Sequence, residues 1–368
     1  MADATVIAKV KQISKKAGEW LLMAYQTMGL PRLIIGGFVL ALFLFAFMMK
    51  MDLASLCSDS LVRIGMNGVL VLAMLPSLAC GAGLNFGLPV GILCGLVGGV
   101  ISLNLNINGF PGLLVAILLG TLLALVAGSF YAQLLEKVRG QEMMVGTYVG
   151  FSVVAGMCIF WLVAPFRNPA LIFAIGGQGL RYTLSLNDSY GQILNKFLAF
   201  SVFGVTIPTG LLLCFFLFCF LVYLFFRSQA GLAVIATGAN PMYAVSSGIN
   251  VKRMRSLGTI LSTVLGAVGI LIYSQSYGFL QLYTAPLYAA FPAMAAILIG
   301  GATLQKATIG NVIIGTVLFQ TILTIALPVT QTALQGADIS EIARIIISNG
   351  MILYALTRVG GGATWKAK

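Results

Sequence analysis

Long apolar runs recur along most of this chain, and they constrain its fold more than any other feature of the sequence. Many of them reach the length of about 17–25 residues that is needed to cross the hydrocarbon core of a bilayer. Because backbone groups in lipid must form hydrogen bonds within the protein, such runs fold as helices rather than as exposed strands. The sequence therefore predicts an all-α, polytopic membrane helix bundle. We expect about ten transmembrane helices, at residues 32–50, 62–80, 88–104, 111–131, 144–164, 201–226, 256–275, 286–301, 309–328 and 342–358.

The distribution of basic residues predicts the orientation of the bundle. If the N-terminus is cytoplasmic, ten spans return the C-terminus to the same side, and most of the 21 lysines and arginines then lie in cytoplasmic segments. This excess satisfies the positive-inside rule. The net charge of +12 is therefore explained by topology and by anionic lipid, and no nucleic-acid partner is expected. The cytoplasmic basic residues are Lys9, Lys11, Lys15, Lys16, Arg32, Lys137, Arg139, Arg227, Lys252, Arg253, Arg255, Lys306, Arg358, Lys366 and Lys368.

The apolar and charged segments divide the chain into three regions. Residues 1–31 form a cytoplasmic N-terminal segment, which we expect to lie on the inner membrane surface as an amphipathic helix. A disordered tail is the alternative. The residues that share the apolar face of this helix are Val6, Val10, Ile13, Ala17 and Trp20. The transmembrane domain covers 32–358, with a long outer loop at 165–200 and a cytoplasmic loop at 227–255, and a cytoplasmic tail covers 359–368.

Ionisable groups are scarce in the predicted spans. The sequence contains no histidine, and its nine acidic residues fall in tails, loops or span ends. Proton-driven carriers keep ionisable groups inside the membrane, so proton coupling is disfavoured, although sodium sites built from backbone carbonyls remain open. The chain also lacks the Gly-x-x-x-x-Gly-Lys-Ser/Thr loop that holds nucleotide phosphates, and it has no metal-type cysteine pair. We therefore predict no catalytic residues, no metal site and no enzyme activity. A passive pore remains, or a channel-forming subunit powered by a partner.

A polar island at residues 238–251 separates two strongly apolar segments. Asn240 is a good helix N-cap, Pro241 fits the first helical position, and Gly248 can end the helix in the left-handed conformation. Basic residues follow at 252, 253 and 255, which places the island on the cytoplasmic side. A rigid helix on that side is what a transporter needs to receive force from a separate ATP-driven motor.

Glycine-rich backbone leads into the third predicted span. Gly91, Gly95 and Gly99 lie at i, i+4 and i+8, which predicts a smooth stripe that lets another helix approach closely. Upstream, Gly87 interrupts the apolar pattern, and irregular backbone at membrane depth must be buried in protein or line a water-filled path. Asn85 is therefore predicted either to face the translocation route or to cap the next helix.

The second half of the chain contains a similar short, glycine-rich span. Gly300 ends this apolar run, and a brief polar turn with Thr303 follows. Interrupted helices in corresponding halves of a transporter indicate a pathway near the middle of the membrane. Both glycine-rich blocks are therefore candidates for the route.

A second charged inner loop runs from Glu136 to Glu142. It is either a docking surface for a partner or the charged anchor of two spans. The pattern alone favours the anchor.

Together, these blocks resemble the permease subunits of bacterial ABC importers for simple sugars, nucleosides and branched-chain amino acids. The island is similar to that family's cytoplasmic motif G-x-N-P-x-A-A-x-x-x-G-I-N-V. The late block is similar to its A-A-x-x-x-G-G-x-S/T segment. The resemblance covers roughly residues 60–358. Matching residues are Gly238, Asn240, Pro241, Ala244, Gly248, Ile249, Asn250 and Val251 in the island, and Ala295, Ala296, Gly300, Gly301 and Thr303 in the late block.

Two other segments are similar to the nucleoside members of that family. Asn85-Phe-Gly87 resembles an early N-I-G-x-E-G block, with Pro89 at the position of the acid. The loop that ends at Glu142 resembles a segment in which a glutamate precedes T-x-x-x-N. Thr147 is present here, and the later asparagine is not. The resemblance therefore implies a nucleoside or a simple sugar as the cargo.

The resemblance also implies a transport complex in the bacterial cytoplasmic (inner) membrane. Two cytoplasmic ATPase subunits, or one tandem ATPase, would bind beneath two permease subunits, which are identical or homologous. An extracytoplasmic substrate-binding protein would deliver the cargo. The chain itself would bind no cofactor, since ATP and Mg would be held by the ATPase subunits.

The polar island is therefore expected to couple the ATPase to the bundle, and the glycine-rich blocks are expected to line the pathway. The alternative is a stand-alone facilitator or secondary transporter of a small solute, and a third interpretation is a regulatory or scaffold protein. An exporter is disfavoured because the resemblance is to importers. The coupling residues are Gly238, Asn240, Pro241, Tyr243, Ala244, Gly248, Ile249, Asn250 and Val251, and the pathway residues are Asn85, Gly87, Gly300 and Thr303.

Overall fold

The computed structural model describes residues 30–164, 166, 168, 171–172, 179–303, 306–334, 345–346, 349–350 and 353. These residues form helices, with two small antiparallel sheets in which β1 pairs with β4 and β2 pairs with β3. The helices are α1 (Leu30–Met48), α2 (Leu53–Ala79), α3 (Leu88–Asn104), α4 (Gly109–Lys137), α5 (Glu142–Val163), α6 (Ile193–Lys196), α7 (Thr209–Arg227), α8 (Gln229–Ala239), α9 (Pro241–Ser246), α10 (Val251–Tyr277), α11 (Ala285–Ile299) and α12 (Ile309–Leu334). The strands are β1 (Thr183–Ser185), β2 (Phe200–Val202), β3 (Val205–Ile207) and β4 (Phe279–Gln281).

Helices α2 and α10 form the centre of the bundle. Their small and apolar side chains are buried along most of their length, because they pack against each other and α10 also packs against α3 and α4. Helices α11 and α12 cover another side of α2. By contrast, α4, α5 and α7 present many large apolar side chains outward. Outward apolar faces of this kind are expected where lipid, rather than water, surrounds the helix.

The predicted glycine stripe on α3 is confirmed as a close contact with α10. A Cβ atom on Gly91 would lie 2.2 Å from the carbonyl oxygen of Thr263, and one on Gly95 would lie 2.4 Å from that of Ala267. Side chains at these positions would push the two backbones apart. The small residues therefore hold α3 directly against the central helix.

The all-α membrane bundle predicted from the sequence is confirmed. Six of the described helices are long and apolar enough to cross a membrane, and four shorter apolar helices accompany them. The total of ten spans and the sides of the two termini stay predictions. Three predicted segments lie largely outside the described residues. They are residues 1–29 of the N-terminal segment, most of the tenth predicted span at 342–358, and the tail 359–368. The six long helices are Leu53–Ala79, Gly109–Lys137, Glu142–Val163, Thr209–Arg227, Val251–Tyr277 and Ile309–Thr332.

Several boundaries differ from the prediction. The second span was expected to begin at 62, but helix α2 already begins at Leu53. The sixth span was expected to begin at 201, but residues 200–207 form the β2–β3 hairpin and the helix starts at Thr209. The apolar run continues through the hairpin because β-branched and aromatic residues suit strands as well as membrane helices. The turn residues Phe203 and Gly204 both have positive φ, which is the geometry of a tight two-residue turn. In addition, helix α8 and the start of α10 occupy much of the predicted cytoplasmic loop at 227–255.

Candidate functional site

A short capped helix, α9, lies between α8 and α10. The side chain of Asn240 accepts a hydrogen bond of 3.1 Å from the backbone N–H of Tyr243, which confirms the predicted N-cap. Pro241 occupies the first turn, where its missing N–H leaves no helical bond unmade. Asn250 repeats this arrangement for α10, because its side chain accepts from the N–H of Arg253 at 3.1 Å. The polar island therefore starts two helices with the same side-chain chemistry.

The C-terminal end of α9 also closes as predicted. Gly248 has left-handed backbone with a φ of +76°, and its N–H donates to the carbonyl of Val245 at 3.0 Å. The N–H of Ile249 donates to the carbonyl of Ala244 at 2.9 Å. This pair of bonds is a Schellman motif, which satisfies carbonyls that a helix end leaves open. The six-residue helix is therefore fixed at both ends.

We expect Gly248→Ala to loosen the end of α9 without unfolding the bundle. Left-handed backbone costs a non-glycine residue about 1–2 kcal/mol. No described atom lies within 4 Å of a Cβ at this position, so a steric clash does not add to that cost. The amide hydrogen of Ile249 should therefore exchange about tenfold faster with solvent.

The matched control is Gly156→Ala, which adds the same carbon in open surroundings on α5. That change should leave the exchange of Ile249 unaltered. Equal exchange rates in the two variants would contradict the role of Gly248 in closing α9.

The outward surface of α9 is apolar, although it lies outside the predicted spans. Met242 is 81% exposed and Tyr243 is 65% exposed, and Val245 is exposed as well. Ala244, on the opposite side, is fully buried against the bundle. A compact exposed apolar patch is typical of a contact with another protein. We call Met242, Tyr243 and Val245 the α9 patch.

Helix α8 carries α9 and packs directly on the end of α2. A Cβ atom on Gly238 would lie 2.1 Å from the carbonyl oxygen of Ala79, so only glycine permits this approach of the two backbones. Gly81 faces the same point from the turn after α2, and its φ of +76° suits glycine. This contact joins the polar island to the central helix of the bundle.

An ionic cluster ties the start of α10 to the loop between α4 and α5. Arg255 pairs with Glu142 and lies 3.5 Å from a carboxylate oxygen of Glu136, which also pairs with Arg139 at 2.5 Å. Both carboxylates are largely buried. They therefore tie the loop between α4 and α5 to the start of α10. The anchor and docking interpretations of this loop both stay predictions. Among the described residues, no group of three or more His, Cys, Asp or Glu side chains is placed to hold a metal ion.

Asn85 is buried between α4 and α10. Its amide nitrogen donates to Ser262 Oγ at 2.8 Å, and its amide oxygen accepts from the Tyr131 hydroxyl at 3.1 Å. The N-cap of α3 is Gly87, so the interpretation that the Asn85 side chain caps this helix is wrong. A Cβ on Gly87 would lie 2.3 Å from the Tyr131 hydroxyl, so glycine makes room for that ring. The pathway role of both residues stays a prediction.

The other two predicted pathway residues follow α11. A Cβ on Gly300 would lie 1.9 Å from the carbonyl oxygen of Asn311 on α12, and the Asn311 amide donates to the Gly300 carbonyl at 2.8 Å. Thr303 is exposed and shapes the following turn, since its hydroxyl accepts from the N–H of Lys306 at 3.0 Å. Gly300 thus holds two helices together, and the pathway role of both residues is untested by these contacts.

A cavity of about 380 Å³, which we call the aromatic cavity, lies between α2, α3, α10 and α11. Sequence reasoning missed this cavity, because its polar and aromatic residues stand singly in apolar segments far apart in the chain. A larger polar vestibule of about 820 Å³ shares Tyr277 with it and contains Asn106, Asn108 and Asn187. By the predicted orientation, the vestibule lies on the outer face. The aromatic cavity is lined in part by Asn67, Tyr182, Tyr273, Tyr277, Gln281 and Tyr288.

The phenols of Tyr190 and Tyr283 brace connecting segments against the bundle. The hydroxyl of Tyr190 donates to the carbonyl of Gly99 at 3.2 Å, and that of Tyr283 donates to the carbonyl of Leu180 at 2.7 Å. Burial raises the pKa of Tyr190 and also that of Tyr283, so both phenols stay protonated donors near neutral pH. The ring of Tyr283 stacks on Tyr182, which fixes one wall of the aromatic cavity.

Comparison with known proteins identifies the family. Residues 56–356 match the family described as "Branched-chain amino acid transport system / permease component". The chain belongs to this family of ABC permease subunits. The resemblance seen in the sequence is thereby confirmed. This ABC permease is a multi-pass protein of the inner membrane, and its family consists of transport subunits rather than catalytic ones.

A local match extends the comparison. The nucleoside ABC transporter permease protein NupC of Lactococcus lactis subsp. cremoris (strain MG1363) is 44% identical to this permease over 54 residues. The matched segment covers 15% of this chain and 17% of that protein's length. No solved structure matches the chain.

Proposed function

We propose that this permease forms the translocation pathway of an ATP-driven importer for a small polar solute, a nucleoside or a simple sugar, with energy from separate ATPase subunits. The observation that carries the proposal is the α9 patch. It is an exposed apolar surface on a helix that is capped at both ends and held outside the predicted spans. A bundle without a nucleotide-binding loop of its own needs such a contact with its motor.

The contacts that join the polar island to the rest of the bundle provide a route by which the ATPase can move the helices. Closure of the ATPase subunits on ATP presses on the α9 patch, and the contact of Gly238 with Ala79 passes the displacement to α2. Arg255 links the start of α10 to the loop before α5. Because closely packed and ion-paired elements move as rigid bodies, the displacement changes which end of the pathway is open.

The complex that this function requires has several partners. Two cytoplasmic ATPase subunits, or one tandem ATPase, hold ATP and Mg, and the permease itself binds no cofactor. A second permease subunit, identical or homologous, completes the pathway. A substrate-binding protein delivers the solute from the extracytoplasmic side. Family membership supports this set of partners in general terms.

Two observations support the class of cargo. The relative with a local match is named as a nucleoside permease, and the segments around Asn85 and Glu142 are similar to nucleoside members of the family. In addition, the described residues that line the aromatic cavity include no Asp, Glu, Lys or Arg. An uncharged wall suits a neutral solute, because a charged solute would lose its hydration without gaining a partner.

Reconstitution into liposomes tests the proposal. The full chain, together with a candidate ATPase and a candidate substrate-binding protein, should accumulate labelled uridine or ribose above the external concentration. This accumulation should require ATP on the ATPase side, and it should stop when ADP replaces ATP.

The matched control is a liposome that contains the permease alone. Downhill uptake of the same solutes by these liposomes, without ATP or a second protein, would contradict the proposal and support the stand-alone facilitator. Absence of uptake under every condition would support the scaffold interpretation.

A further inference from the structure

The aromatic cavity has ordered rings on two sides. The ring centroids of Tyr273 and Tyr277 are 5.5 Å apart, with an angle of 15° between their planes. On another wall, Tyr182 stacks on Tyr283 with centroids 5.8 Å apart and planes 7° apart. Because each ring is held by its neighbour, these faces are in place before any ligand arrives. Preformed aromatic faces suit a flat, apolar ring system.

Hydrogen-bonding groups accompany the rings. Asn67 and Gln281 contribute side-chain amides, which carry both donors and an acceptor. One N–H of Asn67 is already donated to the carbonyl of Arg63 at 3.0 Å. Pro292, inside α11, has no N–H, so the carbonyl of Tyr288 lacks its usual helical donor at this wall. The cavity therefore combines flat apolar faces with neutral donors and acceptors.

The volume of the aromatic cavity and the charge of its lining further restrict the class of ligand that it can bind. Sites for small molecules usually enclose about 300–1,000 Å³, and the aromatic cavity of about 380 Å³ lies at the lower end of this range. The described lining residues include no Asp, Glu, Lys or Arg. Phosphorylated solutes and free amino acids would enter without a counter-charge, so both are disfavoured.

We propose that the aromatic cavity is a transit site for an uncharged nucleoside. The base stacks on the rings of Tyr273, Tyr277 and Tyr182, while Asn67 and Gln281 bond to the polar edge of the base or to the sugar hydroxyls. Stacking of bases on aromatic side chains tolerates different bases, which suits a site that must release its ligand. This inference deepens the proposed function, since it names the cargo class of the pathway.

Tyr277 connects this site with the outer face. Its ring borders both the aromatic cavity and the polar vestibule, and it packs edge to face on Phe279 with centroids 4.6 Å apart. A solute that leaves the vestibule for the aromatic cavity therefore passes this ring. Tyr277 is the residue whose loss should weaken the site most.

Binding can be measured on the full chain in lipid nanodiscs by saturation-transfer NMR, with uridine, inosine and ribose as probes. Uridine and inosine should receive saturation on their base protons, and ribose should receive much less. Tyr277→Leu should weaken the nucleoside signals by about tenfold, because one stacking face is lost. Tyr277→Phe keeps the ring and should retain most of the signal.

Tyr148→Leu is the matched control, since Tyr148 is 65% exposed on α5 and does not line the cavity. It should leave the nucleoside signals unchanged. Tyr182→Leu tests the opposite wall of the cavity independently. If circular dichroism shows that Tyr277→Leu does not fold, the signals of Tyr182→Leu show whether the cavity binds the nucleosides. Unchanged nucleoside signals in the folded leucine variants, or a ribose signal as strong as that of uridine, would overturn the site.

This assay is separate from the test of the proposed function, because it needs neither an ATPase nor transport. Loss of the transit site with intact ATP-driven uptake would overturn only the inference about the cavity. Nucleoside binding that depends on Tyr277, combined with uptake by the permease alone, would support the cavity and overturn the ATP-driven importer.

Discussion

The double substitution Met242→Asp with Tyr243→Asp is expected to lower ATP-driven uptake by at least about thirtyfold. Anchor residues at the centre of a protein interface each contribute about 2 kcal/mol or more, and two buried carboxylates without partners would add a further cost. Both side chains point away from the bundle, being 81% and 65% exposed. The fold of the permease should therefore survive while its complex with the ATPase dissociates.

Two measurements check this result. The variant should melt like the unsubstituted permease, and the ATPase should no longer copurify with it. Acidic residues contribute little to membrane topology, so the orientation of the chain should not change. Phe203→Asp is the control, because Phe203 is fully exposed in the β2–β3 turn and distant in sequence from α9. Copurification of the ATPase with the double variant would contradict the role of the α9 patch.

The second large effect is expected for Gly300→Ala. The added Cβ would lie 1.9 Å from the carbonyl oxygen of Asn311, a backbone atom that cannot move without shifting α12. The shift would also break the hydrogen bond between the Asn311 amide and the Gly300 carbonyl. Overpacking of this kind lowers the free energy of unfolding by about 3 kcal/mol. Unfolding in a detergent titration, followed by circular dichroism, measures the loss.

The same substitution at Gly156 shows whether the loss of stability comes from the close helix contact or simply from replacing a glycine by alanine. Gly156 lies on the exposed face of α5 with no described atom within 4 Å of its Cβ position, so Gly156→Ala should keep or slightly raise stability. If Gly300→Ala unfolded at the same detergent concentration as Gly156→Ala, the close contact of α11 with α12 would be contradicted.

Local chemistry made part of this structure predictable. The caps of α9 follow from Asn240, Pro241 and Gly248 alone, because each satisfies or permits backbone geometry within a few residues of itself. The contact of α3 with α10 follows from the spacing of Gly91 and Gly95, although the partner helix could not be named in advance. The helical spans could also be predicted from the sequence, because the apolar runs are long enough to cross a membrane.

Long-range contacts account for what the sequence did not reveal. Arg255 and Glu142 are 113 residues apart, and Asn85 and Ser262 are 177 residues apart, so no local pattern joins them. The aromatic cavity likewise draws its rings from α10, α11 and the segment before β1. The β2–β3 hairpin could have been found, since Gly204 between two short runs of aromatic and β-branched residues is a turn signal.

Photo-crosslinking from position 242 identifies the protein that contacts the α9 patch in the cell. A photoreactive phenylalanine analogue replaces Met242 in the full chain, the living cells are irradiated, and the crosslinked protein is identified by mass spectrometry. We expect a cytoplasmic ATPase subunit as the crosslinked partner, with a yield that changes when cellular ATP is depleted. Crosslinking to an extracytoplasmic binding protein would place α9 on the outer face and overturn its role in coupling to an ATPase.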